Sequence, residues 1–105
     1  MSTVAERVAA GAAWLDVQMP NWWATHGIDL DAFDMAKDCR CVVGQLSPKR
    51  SFCTATAERW LDLDCDVAQR LGFFAGHTSP RASYAEYDAL QAEWRRVITE
   101  RRAAA

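Results

Sequence analysis

DCRCVVGQL, residues 38–46, lies near the middle of a 105-residue chain, and its reading decides the fold. Cys39, Val42, Val43 and Leu46 fall at i, i+3, i+4 and i+7, the spacing of one buried helical face. Asp38 stands where an N-cap belongs, its carboxylate placed to accept from first-turn amides. A glycine inside a helix costs about 1 kcal/mol relative to alanine, so Gly44 predicts close approach by a neighbouring element. Ser47, Pro48, Lys49, Arg50 and Ser51 close the segment as a turn.

Working outward toward the N-terminus, the same period recurs. Thr3 and Glu6 have the spacing of a capping box, and Val4, Val8, Ala12, Leu15 and Met19 follow as one apolar stripe. Trp14 sits beside that stripe and widens it. Pro20 ends the helix by disfavouring helical backbone at the residue before it. NWWATHG, residues 21–27, reads as a short helix stopped by Gly27. IDLDAFDM, residues 28–35, alternates apolar and acidic residues at its start and is read as a loop or short helix pinning Ile28, Leu30 and Phe33 into the core.

Toward the C-terminus, residues 52–71 read as an interrupted helix. Thr54 or Thr56 caps a first piece carrying Trp60 and Leu61. Asp62 and Asp64, poor helix-interior residues, let a second piece restart at Cys65. Val67, Ala68 and Leu71 line it, and Gly72 ends it with Phe73 folding back on the last turn. AGHTSPRA, residues 75–82, reads as a mobile loop, and residues 103–105 as a frayed tail. Ser83 and Glu86 suggest a second capping box, followed by an apolar face of Tyr84, Tyr87, Leu90, Trp94, Val97 and Ile98. Glu86, Glu93, Arg96 and Glu100 lie mostly off that face, and Arg101 and Arg102 complement the helix dipole. The whole predicts an all-α, single small domain spanning residues 1–105, with four to six helices packed around a central short helix and the first and last helices crossing it.

Composition narrows the function classes. Half the residues are hydrophobic and a quarter charged, the balance of an ordinary globular domain. Five tryptophans supply much of a core, and any left exposed would mark an interface. A net charge of −2 gives no global field for nucleic acid or anionic lipid. No run approaches the roughly 18 apolar residues of a membrane span. The first residues lack the basic and apolar regions of a secretory signal, so a cytoplasmic location with reduced thiols is expected.

Site chemistry is sparse. Cys39, Cys41, Cys53 and Cys65, with His26 or His77, offer enough zinc ligands. Their spacing, C-x-C followed by two gaps of eleven residues, matches no common zinc site. On a helix Cys39 and Cys41 would point about 200° apart, and small thiols packing as hydrophobes is the preferred reading. Asp62, Asp64 and Asp66 begin like an EF-hand loop, but Val67 and Phe73 occupy the positions that need glycine and glutamate, and Asp29, Asp31 and Asp34 fail likewise. Turn and cap roles explain these carboxylates better. No nucleophile–base pair or glycine-rich phosphate loop is recognisable, so no catalytic residue, metal or cofactor is assigned. Lys49, Arg50, Arg95, Arg96, Arg101 and Arg102 would serve nucleic acid only by converging, and nucleic-acid binding is not expected.

GAAWLD (residues 11–16), Pro20 with Trp23, IDLDAFDM, CVVGQL (residues 41–46), RLGF (residues 70–73) and the series Tyr84, Leu90, Trp94, Arg95 and Ile98 span most of the chain in one order. In these pieces the chain resembles a family of small uncharacterised proteins of high-GC Gram-positive bacteria and their phages. It departs after Leu46, where SPKRSFC replaces the aromatic, glycine-containing loop of that family. The resemblance implies a phage- or prophage-linked intracellular accessory protein and carries over no catalytic residue. The expected function is a non-catalytic protein-binding module acting on a host protein or on its own kind. Trp22, Trp23, Lys49, Arg50 and Phe52 are its candidate contacts, because they lie at turns. The alternative is a small metal-stabilised or nucleic-acid-associated regulator.

Overall fold

A computed structural model describes residues 3–25, 27–36, 40–46, 65–73 and 80–105, with the side chains of residues 65, 66 and 80–83 excepted. The described residues are all-α: α1 (Val4–Gln18), α2 (Val42–Leu46), α3 (Cys65–Arg70) and α4 (Pro80–Ala104), with no strand among them.

The start of α1 is as the sequence predicts. The Glu6 amide donates to Thr3 Oγ1 at 3.1 Å and the Thr3 amide to the Glu6 carboxylate at 3.3 Å, satisfying two first-turn donors reciprocally. Val8, Ala12 and Leu15 are buried, Val4 and Met19 flank them, and Met19 caps the helix ahead of Pro20. Trp14 is half-buried with its ring edge-on to Phe73, so it widens the stripe as expected.

α1 and α4 pack directly against each other rather than across a central helix. Gly11 explains the closeness. A Cβ there would sit 2.0 Å from the Leu71 carbonyl oxygen and 3.0 Å from the Trp94 ring, so only glycine lets the end of α3 and the α4 tryptophan reach the α1 backbone together. Gly44, where the sequence suggests such an approach, is buried in α2.

α3 ends in a Schellman turn. The Phe73 amide donates to Ala68 O at 2.9 Å and the Gly72 amide to Gln69 O at 3.1 Å, with Gly72 at φ +73°. The turn delivers Phe73 into the core, where its ring stacks on Trp94 at 5.8 Å between centroids; Trp22 meets Trp94 edge-on at 5.7 Å. Trp94 is fully buried, and its indole N–H donates to Gly72 O at 2.7 Å. One tryptophan thereby joins α4, α3 and the turn after α1.

Four local expectations change. Residues 21–25 and 27 form turns and a bend instead of a short helix, because Asn21 takes φ +65°, outside helical space. α2 begins at Val42, not Cys39; the Gln45 amide donates to Cys41 O at 2.9 Å and the Gly44 amide to Cys41 Sγ at 3.3 Å, so the Cys41 thiol caps the helix. With residues 40 and 41 non-helical, the helical argument for separating Cys39 from Cys41 lapses. α4 starts at Pro80, a residue pre-set for the first helical position, which places residues 80–82 in the helix and Ser83 inside it rather than at its cap. It runs to Ala104, so Ala103 and Ala104 are helical rather than a tail. The expected caps Asp38, Thr54 and Thr56, the piece carrying Trp60, and residues 75–79 lie outside the described residues.

Candidate functional site

Residues 27–36 run as a strap with Ile28, Phe33 and Met35 buried and Leu30 half-buried. A strap without a strand partner must satisfy its backbone polar groups elsewhere. Two glutamines do this. Gln45 of α2 accepts from the Asp29 amide at 2.7 Å and donates to Asp29 O at 3.1 Å and Arg40 O at 3.0 Å. Gln91 of α4 accepts from the Met35 amide at 2.9 Å and donates to Phe33 O at 3.3 Å. Each side-chain amide imitates a neighbouring peptide group. The Asp29 and Asp34 carboxylates accept from the Asp31 and Ala36 amides at 3.0 Å each, the turn roles expected of them.

The α4 arginines are engaged in the same fold. Arg95 donates to Leu30 O at 3.1 Å and lies over the Phe33 ring. Arg102 donates to Trp23 O at 2.8 Å and also to Ile28 O. Arg101 pairs with Asp16, whose carboxylate also accepts the Trp22 indole N–H at 3.0 Å. Arg96 binds Glu93 and, at 2.7 Å, Glu100; these hydrogen bonds, Glu93's foremost, hold its guanidinium above the ordinary value. Arg101 and Arg102 therefore bind distant parts of the chain as well as standing at the helix C-terminus. Glu86 is turned inward: it faces buried Arg7 at 3.4 Å, and Arg7 Nε donates to Gln69 O at 2.9 Å.

The candidate contacts separate on this geometry. Trp22 is only 2 % exposed, locked between Trp94, Asp16 and Arg101, so it belongs to the core and is no surface contact. Its aromatic bulk at a turn suggested exposure, but the turn folds inward over α4. Trp23 is half-buried against the same core, and Lys49, Arg50 and Phe52 lie outside the described residues. Of the thiols and imidazoles, Cys41 is buried with its Sγ accepting from the Gly44 amide; Cys39, Cys53, His26 and His77 lie outside the described residues, as does the side chain of Cys65. No group of three metal-ligating side chains occurs among the described residues.

What the sequence reading missed is an open groove between α1 and α4, about 380 Å³, lined by Ala9, Ala12, Val97, Glu100, Arg101 and Ala104. Ala9 and Ala12 form its α1 side; Val17, 78 % exposed, lies about 80° around α1 from Ala9 and about 140° from Ala12, away from the lining. At the other end of α4, Tyr84 is 68 % exposed, not part of the buried face; Leu90, Trp94 and Ile98 form that face. The available signal for the groove was the alanine run of α1. A smaller cleft, about 210 Å³, lies where Met19, Pro20, Asn21, Trp22 and Gly27 meet Gln45 and Leu46. No helix among the described residues is long and apolar enough to cross a membrane. Comparison with protein-family models, curated proteins and solved structures gave no match to this chain.

Proposed function

We propose that this protein is a non-catalytic protein-binding module, a phage- or prophage-linked accessory factor that acts in the cytoplasm on a host protein. The observation that carries the reading is the α1–α4 groove, whose floor of Ala9, Ala12, Val97 and Ala104 offers a partner helix close backbone approach beside the charged Glu100 and Arg101. Apolar surface left open to water in such a groove gains free energy when something covers it. The resemblance to small phage and actinobacterial proteins supports the same reading. Trp23, Lys49, Arg50 and Phe52 remain proposed contacts, whereas Trp22 contributes only by holding the turn.

The nucleic-acid alternative loses support from α4. Arg95, Arg96, Arg101 and Arg102 each donate to acceptors of the chain itself, so phosphate would have to compete with carbonyls and carboxylates already in place. A metal-stabilised regulator would draw on residues beyond the groove.

Site-specific photo-crosslinking tests the placement. A photoreactive residue at Ala9, in the groove, should trap a host protein in cells. The same residue at Asp88, exposed on α4 and roughly 180° around that helix from Val97, should not. Equal trapping at both positions, or trapping at Asp88 alone, would remove the groove from the account.

A further inference from the structure

No further inference is drawn: the strongest candidate, the alanine-lined groove between α1 and α4, is the surface on which the proposed binding role already rests, and nothing in the structure shows what covers it.

Discussion

Gly11 and Trp94 carry more of this fold than their sequence context announces. A methyl group at position 11 must displace the Leu71 carbonyl, a backbone atom that cannot rotate aside. Gly11→Ala is therefore expected to destabilise the protein by about 3 kcal/mol, at the upper end of overpacking costs, read from the urea midpoint at constant slope. Trp94→Phe keeps an aromatic ring but strips the donor from the buried Gly72 carbonyl and leaves a void. The expected loss is about 2–4 kcal/mol in the same measurement. Charged residues divide by burial. Arg7, side chain one-tenth exposed and facing Glu86, is expected to cost about 2–4 kcal/mol when replaced by methionine. Arg96→Ala, on the open side of α4, should leave the midpoint unchanged, since exposed pairs contribute little after screening and side-chain entropy.

At the scale of elements, α4 does two tasks with adjacent stripes. Leu90, Trp94 and Ile98 fill the core, while Gln91, Arg95 and Arg102 reach across to the backbone of the turns and strap. Gln91→Ala should speed hydrogen exchange at the Met35 amide about five- to tenfold while leaving mid-α1 amides near their original rates, because an amide–backbone clasp contributes about 1–1.5 kcal/mol and a factor of ten needs about 1.4. Unchanged exchange at Met35 would mean that the clasp does not hold the strap. Helix periodicity made both long helices legible: the Thr3–Glu6 box, the Val8–Ala12–Leu15 stripe and the Leu90–Trp94–Ile98 stripe all appear where the spacing puts them. So does the Gly72–Phe73 stop, since left-handed backbone is glycine's domain. Polar side chains reaching across the fold escaped sequence reading. Nothing local shows that Gln45 and Gln91 face peptide groups 16 and 56 residues distant, or that Arg102 seeks the carbonyls of a turn. Trp22 escaped for the same reason: its exposure depends on how a turn closes over a helix far away in sequence.

For the whole molecule, the described core joins four helices and a strap, with polar groups of α4 turned to the fold's own backbone. The α1–α4 groove is what this arrangement leaves uncovered, and sequence showed it only as alanines along an amphipathic helix. Ala9 lines the groove and is exposed, so changing it should separate binding from folding. The decisive measurement is parallel capture by immobilised wild-type protein and Ala9→Glu from a high-GC Gram-positive lysate, read by mass spectrometry, with thermal unfolding of both proteins as the control. One host protein should be retained stoichiometrically by the wild type and lost with Ala9→Glu, while the two melt together. Equal retention by both proteins, or retention of nothing by either, would contradict a partner seated on the α1–α4 groove.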